Sequence, residues 1–304
     1  MKIVYYIVYF FLWLLSLLPF SILYAFSTLL YYINYYIIGY RKKVVFSNLR
    51  NSFPEKSEME IENIAKDFYR YLGDYFFESL AITSMSAKQF NKRYHYTNPE
   101  VVNKFYDEGK SVMMILGHYN NWEWATTMPL FLKHKVLAAY KPLNNKSFDN
   151  LFKKIRGKFG IEAVPMNGIL KRMIEYRNMG QPILSDFLAD QRPLVRNIRY
   201  WTTFLNQDTP VLMGAERISR KMKQAVVFMH VKRVKRGHYE IIFKVLSEDA
   251  SQTAPYEITE LHVRELEKII QDEPRYWFWS HKRWKHDKEG VIKWQKEHNV
   301  TPDN

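Results

Sequence analysis

SVMMILG-HYNNWE, residues 111–123, joins an apolar run to a Gly-His turn and then to an aromatic, acidic segment. Residues 111–117 predict a strand and 122–132 a helix, the alternation of an open α/β sheet. Outward from there, 135–141 (KVLAAYK), 160–165 and 182–188 predict strands, with helices over 146–159 and 168–177 between them. Residues 224–234 and 238–246 flank Lys235-Arg236-Gly237, a hairpin signal in which glycine supplies the positive φ of a short loop. Residues 258–271 predict a closing helix. Upstream, Ile61, Ile64, Phe68, Leu72, Phe76 and Leu80 recur at helical spacing across 57–80, with Pro54 ahead of them. No internal repeat or low-complexity linker interrupts this pattern, so 41–304 is expected to be one domain.

Residues 3–40 carry no charged side chain. That is too long for one ordinary helix and for the apolar core of a signal peptide, and Pro19 divides it. Residues 3–18 could cross most of a hydrocarbon core of roughly 30 Å. Residues 20–40, richer in Tyr and Ser and including Asn34, suit a second span, a re-entrant helix or an interfacial one. Arg41, Lys42 and Lys43 follow directly, and positive residues beside a span stay in the cytoplasm. The expectation is an anchor over 1–40 with the remainder on the cytoplasmic face. A buried hairpin inside a soluble protein is the alternative.

The 304 residues are 47% hydrophobic and 16% aromatic, ample for a packed core and in keeping with a lipid interface. There is no cysteine, which excludes disulfides, thiolate metal sites and a cysteine nucleophile. A formal net charge of +14 favours anionic partners. No nucleic-acid-binding module is visible, so phospholipid, phosphorylated glycolipid or an acidic protein is expected rather than nucleic acid.

His118 falls where a strand ends and a helix begins, and open α/β sheets bind ligands at the carboxyl ends of strands. An imidazole there can take a proton from a hydroxyl, and a carboxylate on its other nitrogen would fix the tautomer. Glu123 is placed to meet His118 if His118 lies in the loop and Glu123 in the first helical turn. The same residues also fit a plain helix start, Asn120 as cap with Glu123 three residues on.

The His118-x4-Glu123 spacing resembles the H-x4-D/E motif of glycerolipid-type acyltransferases, and specifically of the lipid A lauroyl/myristoyl acyltransferase family. Further segments resemble that family in order: Tyr40-Arg41-Lys42-Lys43-Val44-Val45 with Asn48-Leu49, Phe53-Pro54-Glu55-Lys56, Tyr140-Lys141-Pro142, Asp190-Gln191, and Trp279-Ser280-His281-Lys282-Arg283-Trp284-Lys285. Lys141 stands where the family often has Arg, which keeps the cation and loses the bidentate fork. The segment between Asp190 and Val211 is less typical.

The resemblance implies a glycerolipid-acyltransferase-like mixed α/β sheet flanked by helices behind a membrane-anchoring segment. It implies transfer of a fatty acyl group from acyl carrier protein, with acyl-CoA as an alternative donor, to a hydroxyl of a lipid A precursor, with no bound cofactor or metal. His118 would be the base and Glu123 its orienting group. Lys141 and Arg156 are the candidate oxyanion cations, and Asp190, Gln191 and Arg192 the substrate contacts. Arg196 and Arg199 could add phosphate contacts. Trp279 and Trp284, alternating with His281, Lys282 and Arg283, suit a headgroup interface. Lys232, Arg233, Lys235 and Arg236 on the hairpin tip could dock the carrier protein or membrane phospholipid. The implied place is the cytoplasmic side of a bacterial inner membrane. The same chemistry on a lysophospholipid, glycolipid or aminolipid is the nearest alternative; a non-catalytic lipid-binding protein and a metal hydrolase using His118, Glu123 and Asp190 are the others.

Overall fold

The computed structural model describes the backbone of residues 2–300 and the side chains of 9–300. The helices are α1 (Lys2–Ser16), α2 (Phe20–Tyr32), α3 (Lys42–Ser52), α4 (Glu58–Ala81), α5 (Ala87–Asn91), α6 (Glu100–Asp107), α7 (Lys146–Arg156), α8 (Ile169–Asn178), α9 (Gly214–Met222), α10 (Glu257–Asp272) and α11 (Lys288–Glu297). The strands are β1 (Tyr94–Tyr96), β2 (Val112–Leu116), β3 (Lys135–Tyr140), β4 (Glu162–Pro165), β5 (Ile183–Leu188), β6 (Tyr200–Phe204), β7 (Gln207–Val211), β8 (Ala225–Lys235) and β9 (His238–Ser247). Seven of them form one sheet in the order β1-β9-β8-β2-β5-β3-β4, and β6 and β7 pair separately. Only the β8–β9 hairpin is antiparallel within the large sheet, so the expected mixed α/β architecture is what forms.

β2 is buried along its whole length. Val112, Met114 and Leu116 enter the core on one face of the sheet, while Met113 and Ile115 enter the core on the other, against α8 and α10. That two-sided burial is why residues 111–117 show no polar alternation. α4 begins on a capping box in which Ser57 accepts from the Glu60 amide and the Glu60 carboxylate accepts from Ser57.

Three features depart from the sequence pattern. The predicted helix over 122–132 is a 3-10 segment, Trp122–Leu130. Pro129 lacks the amide an α-helix needs, and Thr126 and Thr127 are β-branched. Asn120 is not the helix cap; it takes a left-handed φ of 52°, and its side-chain amide donates to the Val231 carbonyl at 2.8 Å. Finally, β6 and β7 were not anticipated, because their turn, Leu205-Asn206, reaches positive φ without glycine.

α1 and α2 meet at Pro19, as the sequence predicts, and a π-helical turn, Ile33–Ile38, continues α2. Phe20–Ile38 is one helix, among the described residues, long and apolar enough to cross a membrane. Its inner face, Leu23, Ser27, Tyr31 and Tyr35, is buried. At the centre of that contact the Asp74 carboxylate of α4 accepts from Ser27 at 2.6 Å, Arg233 at 2.8 Å and Arg236 at 2.5 Å. Asp74→Ala leaves Arg233 buried without its counter-charge, and breaking a buried pair this way costs about 3 kcal/mol or more. The expected outcome is a clearly lower chemical denaturation midpoint for Asp74→Ala, against little change for Asp67→Ala, whose pair with Arg70 is surface-exposed.

Candidate active site

His118 and Asp190 each sit two residues beyond a strand, β2 and β5, which pair in parallel from Val112↔Leu184 to Leu116↔Leu188. The register places the two loops side by side, and the Ala189 amide donates to the Leu116 carbonyl at 3.1 Å. Asp190 Oδ1 lies 2.6 Å from His118 Nδ1, and Asp190 Oδ2 accepts from the His118 backbone amide at 2.9 Å and from the Trp277 indole at 2.8 Å. Gly117 makes the approach possible: a Cβ there would come within 2.6 Å of Leu266 Cδ1 and 3.4 Å of Asp190 Oδ2.

An ionised carboxylate can only accept, so Nδ1 carries the proton and Nε2 presents the lone pair. Gln191 Nε2 lies 3.1 Å from that nitrogen. The ring is T-shaped to Trp122, at 4.9 Å between centroids, and its side chain is 16% exposed, leaving one route to Nε2. Burial alone would raise the Asp190 pKa, but the facing imidazole and three donors outweigh it and hold it down at about 2. Burial likewise opposes charge on His118, yet the Asp190 carboxylate prevails and raises the imidazole above its ordinary value.

Glu123 does not orient His118 as the sequence suggested. From the first turn of the 3-10 segment it accepts from Arg156 Nη2 at 2.9 Å. The tighter winding after the left-handed Asn120 carries Glu123 away from Nδ1, which Asp190 already occupies. The Glu123–Arg156 charges still act on the imidazole. Glu123, Arg156, Asp186 and Leu188 line a cavity of about 50 Å³ that begins at Trp122. Asp186 in β5 was not anticipated. Burial, reinforced by Glu123 and opposed by Arg156, raises its carboxyl to about 7, and its Oδ1 is buried without a hydrogen-bond partner.

The remaining candidates scatter. Lys141 is exposed beyond β3. Arg192 is half-buried next to Asp190-Gln191, with Nη1 unpartnered. Arg196 is exposed, and Arg199 donates to the Arg196 and Ile198 carbonyls. The 279–285 motif is largely internal rather than a headgroup surface. Trp279 is fully buried, Arg283 is 3% exposed and donates to the Pro210 carbonyl at 2.6 Å, and Trp284 donates to Thr209 at 2.7 Å. The family-like Arg41 and Asn48 explain why: they bond the Ser280, Trp279 and His281 carbonyls and pin this segment to α3. On the hairpin tip, Arg233 and Arg236 are committed to Asp74, which leaves Lys232 and Lys235. Among the described residues no group of three His, Asp or Glu could hold a metal ion.

Two measurements check this electrostatic picture. Asp190→Asn removes the main charge favouring the protonated imidazole and leaves burial opposed only by Glu123, which is itself paired with Arg156. The His118 titration, followed by histidine NMR, is expected to move from above the ordinary value near 6.5 to below it. Asp186 has the opposite sign from a paired carboxylate. Its raised folded pKa means stability is lost as pH climbs from its unfolded value near 3.8 through about 7. Asp186→Asn should therefore equal the parent near pH 4 and exceed it at pH 8, by at most about 4 kcal/mol in denaturant unfolding.

The Asp190–His118 pair and the half-buried Glu123–Arg156 pair both lie at the carboxyl edge of a mixed sheet. None of the curated proteins compared matches the chain. The profile described as bacterial lipid A biosynthesis acyltransferase does match, over residues 1–286, and so takes in the apolar N-terminal helices, the sheet and the Trp279–Trp284 segment. The chain therefore belongs to the bacterial lipid A biosynthesis acyltransferase family.

Proposed function

We propose that this protein transfers a fatty acyl group from acyl carrier protein to a hydroxyl of a lipid A precursor, with His118 as the general base. The observation that carries the reading is the imidazole held at Nδ1 by Asp190, with its Nε2 against the Gln191 side-chain amide. The acceptor hydroxyl displaces Gln191 from Nε2 and gives up its proton there. Its oxygen bonds to the thioester carbon, and the collapsing tetrahedral intermediate breaks the C–S bond. The carrier thiolate leaves and takes the proton from the imidazolium. Asp190 holds the tautomer and steadies the charged ring, the role first assigned to Glu123. Glu123 instead holds Arg156, the cation best placed to meet the developing oxyanion. No cofactor or metal is required by these steps. Membrane attachment through the apolar N-terminal segment would keep the site on the cytoplasmic side of the inner membrane, where an anionic glycolipid and a soluble carrier protein can both reach it.

Lipid A from a host lacking its late acyltransferase, carrying this chain, the His118→Ala variant or an empty vector, tests the reading by mass spectrometry. A gain of one acyl-chain mass with the parent chain, lost with His118→Ala, is expected. A gain that survives His118→Ala sinks the mechanism. No gain from protein that is present in the membrane sinks the acceptor, and total lipid extracts then show whether a lysophospholipid or aminolipid takes its place. Because the base must be neutral, the rate should rise with pH through a pKa above 6.5. Asp190→Asn should shift that limb downward and cost about 10²–10⁴-fold in turnover.

A further inference from the structure

The helix Phe20–Ile38 has the length of a membrane span, but its middle is held by charges. Tyr24 donates to Glu78 at 2.9 Å, and Ser27 to Asp74 at 2.6 Å. Arg236 reaches the Tyr24 carbonyl at 3.3 Å. Alongside Ser27–Tyr32 opens a cavity of about 510 Å³ whose walls include Asp67, Arg70, Arg233 and Arg275. A helix standing across a bilayer would carry this whole cluster to the hydrocarbon centre, where ionised groups are strongly disfavoured. The opposite face has the reverse character: Ile22, Phe26, Leu29, Tyr32, Tyr36 and Ile37 are 42–78% exposed.

We propose that this helix is an in-plane interfacial anchor. Its outer face sinks into one leaflet, while its inner face stays bonded to α4 above the headgroups. Charge complementarity selects an anionic leaflet. At the end of the helix, Arg41, Lys42, Lys43 and Arg50 surround an open cavity of about 650 Å³ beside Phe46, at the depth of lipid phosphates. The proposal rests on the membrane attachment inferred above, but not on the identity of the acyl acceptor.

The chain has no cysteine, so single cysteines can be introduced without background. Ile22→Cys, Leu29→Cys and Tyr36→Cys lie seven residues apart on the outer face. Each is labelled with bimane, and the full-length protein is reconstituted into phosphatidylethanolamine–phosphatidylglycerol vesicles carrying shallow or deep nitroxide lipids. In-plane docking predicts that all three are quenched more by the shallow nitroxide, to within about twofold of each other. Leu29 quenched mainly by the deep probe, with the other two quenched by the shallow one, makes the helix a span and overturns the proposal. No quenching at any position overturns membrane contact itself, and the lipid A assay on the same variants reports separately on acyl transfer. Vesicles of phosphatidylcholine alone should bind at least tenfold less protein; equal binding overturns the anionic selectivity.

Discussion

The site depends on one buried carboxylate. Asp190 is 7% exposed, and an ion so placed is costly unless every lone pair is used. Its three donors come from two places in the chain: the ring and backbone of His118 after β2, and the indole of Trp277 after α10. β2 and β5 supply the first contacts through parallel register, and the isolated pairing of Tyr119 with Trp277 supplies the last. The aromatic cluster of Trp277, Trp279, Trp284 and Phe53 serves the same end from a distance. It fixes the C-terminal segment against α3, and so fixes the indole that steadies Asp190.

Behind the imidazole, the loop is held as firmly as the ring. Asn120 gives its side-chain amide to β8, and its carbonyl accepts from Tyr71 of α4 at 2.7 Å. Asn121 donates to Glu78 at 2.7 Å, and Tyr239 of β9 donates to the same carboxylate oxygen at 2.6 Å. A left-handed, non-glycine residue held from both sides in this way is local strain retained by the surrounding structure. The same α4 carboxylates, Asp74 and Glu78, bond α2 on their other side. α2 and the site loop are therefore braced by one helix, which couples the apolar N-terminal segment to the position of His118.

Strands β2 to β5 and the β8–β9 hairpin were legible because β2 and β5 are apolar runs and the hairpin carries its glycine. His118 was legible as the candidate base for the same reason: a Gly-His pair follows the central strand. Its partner was not. Asp190 was visible as an acid ending a strand, but nothing in a single sequence says that β5 rather than β3 lies beside β2, and only that adjacency brings Asp190 to Nδ1. Glu123 was the nearer carboxylate in sequence, and proximity along the chain misleads wherever a loop turns through a left-handed residue. Trp277 and Asp186 were missed because a tryptophan among aromatics and an acid within a strand carry no local signal. The basic Trp279–Lys285 motif was read as a surface because a charge run usually is one; here Arg283 is buried, with the Pro210 carbonyl satisfying part of its guanidinium.

The arrangement also reconciles a strongly basic chain with an acidic site. Three carboxylates, Glu123, Asp186 and Asp190, lie near two positive groups, Arg156 and the protonated His118. Left ionised, they would repel a phosphorylated lipid. Arg156 neutralises Glu123 through a direct bond, the protonated His118 neutralises Asp190, and the third carboxyl, pushed up to about 7 by burial and by the charge of Glu123, keeps its proton through the acid range. Below about pH 7 the group is thus close to neutral, while the remaining cations make the surroundings positive. An anionic acceptor is drawn to the surface by the long-range field. The Nε2 lone pair appears only when the imidazolium gives up its proton there, with Nδ1–H still held by the Asp190 carboxylate.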